Sequence, residues 1–307
     1  MPLGTDPKAV IDALIARKNG PSNDKRKIAL VLEGGALRGV YSCGVVEALA
    51  NLGFKDCFDV LLGTSAGALN CLYLLGNEMD VAQSIYYENA IDKRCLNLWK
   101  FPEILNVRWM ISEFILKKKR FNDQVVYNSS TEILISTTNA NSGETHWFSS
   151  LHSPREDFEK SILATAYTPI VCSQKENIGG ELYNDGYVRA AIPVKKAIEL
   201  GCTDIVVVPT QPWGYRKTKS GLLSRLYGKW RLRNYSNAYK AAYASRHHYY
   251  NEALDIAEHG GDGFRTLVLC PKSKDEVIGS LESSSDAVRK AGDIARDTTL
   301  HKLRKFL

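Results

Sequence analysis

Along most of the chain, short apolar runs alternate with amphipathic stretches of helical period. Residues 7–18 place Ala9, Ile11, Leu14 and Ile15 on one stripe and predict a helix. Lys27–Leu32 reads as a buried strand ending in a Gly-Gly pair, and Val40–Leu52 as a helix stopped by Gly53. A second strand, Phe58–Leu62, runs directly into Gly-Thr-Ser-Ala-Gly-Ala and the helical stretch Ala66–Leu75. Helices are predicted over Val81–Ile91 and Val107–Lys119, the latter closing in the basic run Lys117–Arg120. Glu132–Thr138 and Thr145–Ser149 form a hairpin around Asn-Ser-Gly. Glu156–Ala166 is helical until Pro169, Glu181–Asn184 leads into an Asp-Gly turn, and Pro193–Leu200 is a helix opened by proline. A buried strand, Asp204–Pro209, is followed by a long helix over Tyr235–His259, a last strand over Arg265–Cys270 and a terminal helix over Ser283–Leu303. Strands separated by helices predict an α/β fold, with a mostly parallel sheet covered on both faces. No repeat or Pro/Ser-rich linker interrupts the pattern. The expected organisation is a helical lead-in over 1–26, a main domain over 27–210 and a mostly helical extension over 211–307 packed on the same domain.

Composition narrows the class without naming a function. With 307 residues, 44% hydrophobic and 24% charged, the chain is neither disordered, collagen-like nor a coiled coil. No apolar run approaches the roughly 18 residues of a membrane span. The first twenty residues lack a basic start followed by an apolar block, so no signal peptide is expected. Seven scattered cysteines without a CxxC pair suit reduced thiols in the cytoplasm better than a zinc knuckle or a disulfide framework.

Charge changes the picture in one place. Of 40 Lys and Arg residues, nine fall within 211–250, which holds no acid, leaving 31 basic against 34 acidic residues elsewhere. The same segment carries nine of the 29 aromatics, among them Trp213, Trp230, Tyr235, Tyr239 and Tyr243. Within it, Leu222, Leu223, Leu226, Tyr227 and Trp230 share one helical face, while Ser224, Arg225, Lys229, Arg231 and Arg233 take most of the remainder. Such a helix suits peripheral contact with an anionic membrane through 222–233. The alternative is an amphipathic surface helix whose leucines pack on the core. Nucleic acid fits less well, because no recognised binding motif accompanies the charge.

Candidate chemistry begins at Gly63-Thr64-Ser65-Ala66-Gly67, a G-x-S-x-G match lying between a predicted strand and a predicted helix. In that setting the turn holds the serine strained at the top of a sheet, and the flanking glycines spare the bend a Cβ clash. The helix start adds free N–H groups and a positive dipole beside the serine oxygen. A second glycine-rich loop, Gly34-Gly35-Ala36-Leu37-Arg38-Gly39, lacks the Lys-Ser/Thr of a P-loop and the second glycine of a dinucleotide fingerprint. It suits an oxyanion hole for acyl transfer, with Arg38 pinning the loop or lending it charge. A serine also needs a base. His247, His248, His259 and His301 follow in the Ser…Asp…His order, and Asp185-Gly186 sits at a strand-end turn.

Together these segments resemble the patatin-like phospholipases, a family marked by a G-G-G-x-R-G loop, a G-x-S-x-G serine and a D-G-[GA] aspartate. Here they stand as Gly34–Gly39, Gly63–Gly67 and Asp185-Gly186, in that order, with Ala164-Thr165-Ala166-Tyr167-Thr168-Pro169 similar to the family's A-S-x-A-x-P helix end. The resemblance covers about residues 27–210. It implies a three-layer α/β/α domain, a Ser65–Asp185 dyad with the aspartate as sole base, and lipid acyl hydrolysis that needs no metal or other cofactor. Two positions depart from the family pattern. Ala36 replaces the third loop glycine, which a negative φ would accommodate, and Tyr187 follows Asp185-Gly186 where a small residue is preferred. A lone aspartate near its ordinary pKa of about 3.9 is a weak base, so partial desolvation is required of its site. The expected activity is therefore a serine hydrolase of phospholipase A or lysophospholipase type acting on a lipid or ester. An acyltransferase or carboxylesterase using the same serine, and a non-catalytic nucleotide-binding or scaffold domain, stand as alternatives.

Overall fold

A computed structural model describes residues 3–20 and 25–307, so Met1, Pro2 and positions 21–24 of the predicted lead-in lie outside the described residues. The chain runs through α1 (Pro7–Lys18), β1 (Ile28–Leu32), α2 (Gly39–Asn51), β2 (Val60–Gly63), α3 (Ala66–Gly76), α4 (Met79–Ser84), α5 (Val107–Met110) and α6 (Asp123–Asn128). It continues through β3 (Glu132–Asn139), β4 (Thr145–Ser149), α7 (Arg155–Ala164), β5 (Glu176–Ile178), β6 (Glu181–Asp185), α8 (Tyr187–Ala190), α9 (Val194–Glu199) and β7 (Asp204–Val208). Last come α10 (Leu222–Arg231), α11 (Asn237–His259), β8 (Arg265–Val268) and α12 (Ser285–Leu303).

The strands form one eight-stranded mixed sheet in the order β5-β6-β3-β2-β1-β7-β8, with β4 also paired to β3. From β3 to β8 the neighbours are parallel, whereas β4, β5 and β6 pair antiparallel. Period-2 alternation sends Ile28, Leu30, Leu32 and Leu61 into a core with α1, α2, α3 and α12. Ala29, Val31, Val60, Leu62, Ile205 and Val207 enter a second core with α9 and α11. That arrangement is the expected three-layer α/β/α architecture. The C-terminal residues are part of it: β8 extends the sheet beside β7, and Leu3 bridges to Val268.

Two predicted helices change character. Val81–Ile91 resolves into α4 followed by a widened π-helical turn over Ile85–Asn89, and Val107–Lys119 into α5 followed by one over Ile111–Lys118. Both face an apolar pocket through Ile85, Tyr86 and Ile115, the kind of setting in which such turns recur. Strand β5 was not expected. It has three residues and no apolar alternation, and it exists because Gly179-Gly180, both at positive φ, fold it back onto β6.

Candidate active site

The serine turn is built by close approach. Ser65 sits at φ +53°, ψ −125°, between the end of β2 and the first residue of α3. A Cβ on Gly63 would come within 2.5 Å of the Ala68 backbone, and one on Gly67 within 2.5 Å of the Leu32 carbonyl oxygen. Glycine is therefore required on both sides of a strained residue, a cost of about 1–3 kcal/mol that the surrounding sheet imposes. The Ser65 N–H donates to Thr165 Oγ1 at 2.8 Å, and Thr165 Oγ1 donates to the Ser136 carbonyl at 2.7 Å. Beneath them Thr64 Oγ1 and Ser136 Oγ share a hydrogen bond of 2.6 Å.

Register brings the aspartate to the serine. Gly63, the last residue of β2, pairs with Ile135, and Asp185, the last residue of β6, pairs with Thr137. Leu134 and Ile135 pair with both β2 and β4, while Thr137 and Thr138 pair with both β6 and β4. Strands β2 and β6 therefore share one edge of β3, running head to head, their ends two β3 residues apart. Asp185 is buried, accepting from Tyr187 N–H on Oδ1 at 2.9 Å and from the Thr168 hydroxyl on Oδ2. Burial pushes its pKa up to about 6, against the opposing pull of the Thr168 and Tyr187 hydrogen bonds and the charge of Lys217. No hydrogen bond joins Ser65 Oγ to the carboxylate among the described residues, although both line one pocket. Catalytic hydrogen bonds commonly close only around substrate.

The glycine-rich loop corrects one expectation. Ala36 adopts φ +49°, not a negative value, at the head of the single tight turn Ala36–Arg38 that leads into α2. A Cβ on Gly39 would meet the Ala66 Cβ at 2.5 Å, and Gly34 is crowded too, since a Cβ there would meet the Thr64 carbonyl oxygen at 2.7 Å. Its N–H is taken by the Ala191 carbonyl, that of Leu37 by Ser280, that of Arg38 by Gly35, and that of Gly39 by the turn itself. Among the described residues only the N–H groups of Gly35 and Ala36 in this loop, and that of Ala66 at the start of α3, are left without a backbone or side-chain acceptor. The loop is pinned from below. Glu33 is buried and accepts from Thr210 N–H at 2.5 Å and Tyr250 Oη at 2.9 Å, and Thr210 Oγ1 accepts from Arg38 Nε at 3.4 Å. Burial raises the Glu33 pKa, with Arg38 acting against it.

Ser65 stands where two pockets meet. One is almost wholly apolar, about 690 Å³ of atom-free space partly open to solvent, walled by Leu69, Tyr73, Ile85, Val107, Met110 and Ile115. The other is the more polar of the two and holds Asp185, Arg38, Lys217, Tyr187, Gln211 and Tyr250 beside Leu105, Ile170 and Leu281. None of the six histidines lines either pocket: His146 stacks on Phe148 and Tyr183, and His247 and His248 stack on each other. Among the described residues the one group with metal-ligating chemistry is Asp255, Glu258 and His259, where Arg216 Nη2 bridges both carboxylates at 2.6 Å.

Sequence reading missed the roles of Thr165, Thr168, Glu33 and Lys217. For the first two a signal existed: the Ala164–Pro169 stretch was visible, and its threonines hold the serine amide and the aspartate. The basic segment also divides. Tyr235 and Tyr239 are buried and hydrogen-bond Asn184 at 3.0 Å each, so they serve the core. Helix α10 instead shows Leu222 at 70%, Leu223 at 82% and Leu226 at 53% exposure, with Gly228 its only buried residue. Core packing of those leucines is excluded. Arg231 is likewise not a surface cation, since it pairs with Glu103 at 2.7 Å and donates to the Pro169 carbonyl.

Comparison with known proteins bears on what this geometry is for. The chain is 25% identical to the uncharacterized protein YjjU of Escherichia coli over 191 residues, covering 61% of this chain and 52% of that one. It is 26% identical to lysophospholipase nte1 of Aspergillus terreus over 212 residues, covering 64% of this chain and 13% of that protein. The chain thus spans about half of one relative's length and about an eighth of the other's. Among solved structures it is similar to VipD from Legionella pneumophila, with a TM-score of 0.49 and 11% identity over 92% of this chain and 67% of that one. The family model described as patatin-like phospholipase matches residues 30–198, more than half of the chain, a span that holds the glycine-rich loop, Ser65 and Asp185. By that match the chain belongs to the patatin-like phospholipase family.

Proposed function

We propose that the protein is a serine lipid acyl hydrolase of lysophospholipase or phospholipase A type. The observation that carries this reading is the meeting of an apolar and a polar pocket at Ser65, within reach of a buried aspartate of raised basicity. The apolar pocket takes the acyl chain. Asp185 accepts the proton of Ser65 as its oxygen attacks the ester carbonyl, and the alcohol leaves with a proton returned by Asp185. Water then attacks the acyl-enzyme by the same route. The N–H groups of Gly35, Ala36 and Ala66 are the donors for the developing oxyanion, and each such donor is worth about 10²–10³ in rate. Capture of the acyl group by an acceptor other than water would make the same machinery an acyltransferase. A fluorophosphonate probe tests the chemistry: wild type should label at Ser65, and absence of labelling in folded protein overturns the reading. Turnover of long-chain lysolipid well above that of a short soluble ester separates a lipid hydrolase from a general esterase.

The same reading includes docking on an anionic membrane. Helix α10 shares its exposed apolar surface with Leu98, Trp99 and Phe101, and Phe101 stacks on Tyr227 at 5.4 Å. Trp99 is 98% exposed and is followed by Lys100; Arg225 and Lys229 stand on α10 itself, and Arg233 lies over the Trp230 ring at 5.2 Å. Leucine and tryptophan suit the head-group boundary, and the cations suit anionic lipid. In vesicle flotation, wild type should bind phosphatidylglycerol liposomes more than phosphatidylcholine ones, and salt should weaken the binding. Changing Arg225, Lys229 and Arg233 to Gln should remove most of the difference. A variant that binds phosphatidylglycerol liposomes as well as wild type does rules this docking role out. Among the described residues no helix is long and apolar enough to cross a membrane.

A further inference from the structure

If the apolar pocket holds the acyl chain, the alcohol side of the scissile ester faces the polar pocket, whose chemistry is specific. Two cations line it, Arg38 from the glycine-rich loop and Lys217 from the segment after β7. Neither forms an ion pair with a carboxylate among the described residues. Asp185 is the only acid in the lining, and Glu33, which lies beneath, is shifted by burial toward its neutral form. Exposed lysines on most surfaces wander. This one is placed: its backbone N–H donates to Asn251 Oδ1 at 2.7 Å, and Asn251 Nδ2 donates back to its carbonyl at 3.1 Å.

Its ammonium is also aimed. Nζ donates to the Tyr187 hydroxyl and lies 4.1 Å from the centre of the Tyr187 ring and 4.9 Å from that of Tyr250. An ammonium has three N–H donors, so contact with one phenol leaves two for a ligand. Tyr187 is the residue that departs from the small-residue pattern after Asp185-Gly186. Its backbone supports the aspartate while its ring and hydroxyl support Lys217. The bulky residue thus links the base to a fixed positive charge.

We propose that Lys217, with Arg38, is the seat for a phosphate carried on the alcohol side of the substrate, and that Lys217 is a specificity-determining residue. This rests on the hydrolase reading and deepens it: Lys217 is the residue that favours a phosphate-bearing acyl ester over a neutral glyceride of the same chain. Charge-assisted hydrogen bonds from fixed, partly desolvated donors are strong enough to set such a preference.

Two oleoyl esters serve as probes, lysophosphatidylglycerol with a phosphate and monooleoylglycerol without one. Wild type should favour the phosphate lipid in kcat/KM by about tenfold or more, with the difference mainly in KM. Lys217→Gln should compress that ratio by about tenfold, and Lys217→Arg should keep most of it. Because Asn251 holds only the backbone of residue 217, both variants should fold. An unchanged ratio with both rates lowered would show that Lys217 acts on Asp185 or the fold, and would overturn the proposal, as would a wild type that does not discriminate. Protection of Ser65 from fluorophosphonate supplies a readout independent of turnover: lysophosphatidylglycerol should protect wild type far better than Lys217→Gln. Inorganic phosphate protecting as well as the lipid would mark a free-anion site and overturn the headgroup assignment. Failure of wild type to label at all strikes the hydrolase reading itself, whereas normal labelling without discrimination strikes this proposal alone.

Discussion

Ser65→Ala is expected to abolish ester hydrolysis and probe labelling while leaving the fold intact. The side-chain oxygen is the atom lost, and nothing else depends on it: the hydrogen bond to Thr165 comes from the Ser65 backbone, which alanine retains. Removal of the nucleophile should cost several orders of magnitude in rate, with any residue of activity owed to binding and the oxyanion donors. A second variant separates chemistry from strain. At φ +53° an alanine is no more comfortable than the serine, but glycine is. Ser65→Gly should therefore be as inactive as Ser65→Ala yet more stable by about 1 kcal/mol, read as a rise in melting temperature. Most of the wild-type rate surviving in folded Ser65→Ala would end the nucleophile assignment.

Asp185→Asn should be almost equally inactive, and it should be more stable than wild type at neutral pH. An acid whose folded pKa lies near 6, above the unfolded value of about 3.9, keeps its proton longer when folded. Its contribution to stability is thus fully present below about pH 4 and is lost as pH rises through 6, amounting to roughly 2–3 kcal/mol above that range. Asparagine has no charge to bury. Its Oδ1 can accept from Tyr187 N–H as before, and Thr168, a hydroxyl, can accept from Nδ2 in place of donating. Denaturation profiles of the two proteins should diverge as pH rises from about 4 to 7 and coincide below it. The same ionisation governs activity: kcat/KM should fall on the acid side with a midpoint near 6 and level off above it, because the base must be unprotonated. Alanine at each of the six histidines should leave a substantial rate. A histidine indispensable for turnover but not for folding would replace Asp185 as the base.

Most of the architecture was legible because it is written in runs of one kind. Strands such as Asp204–Val208 are buried on both faces and appear as unbroken apolar segments, and long helices such as Asn237–His259 carry their own period and cap. Short or polar elements were not legible. Strand β5 is made by its Gly-Gly turn, and the widened turns after α4 and α5 have a periodicity that no helical template matches. The candidate site divides the same way. Ser65 and the glycine-rich loop announce themselves by steric demands that only a few residue types meet, whereas Asp185 stands as one candidate beside four histidines until the family resemblance singles it out. Thr168, Glu33 and Lys217 reach the site through pairings 17, 177 and 30 residues distant, and threonine, glutamate and lysine are unexceptional at any position. The positive φ of Ala36 was illegible for a related reason, since alanine gives no hint of left-handed backbone.

The head-to-head meeting of β2 and β6 along one edge of β3 separates what is inextensible in this molecule from what is free to drift. The gap between the ends of β2 and β6 is counted out in residues of a third strand, so it can open only when ladder hydrogen bonds of the sheet break. Both pockets are walled differently: by the turns around 85–115 on the apolar side, and by loops near 170, 211–217 and 280 on the polar side. Insertions or exchanges in those loops would reshape what is admitted without altering the spacing of the pair. A scaffold of this kind lends itself to diversification by its walls, with one gauge length passed on unchanged beneath many different mouths.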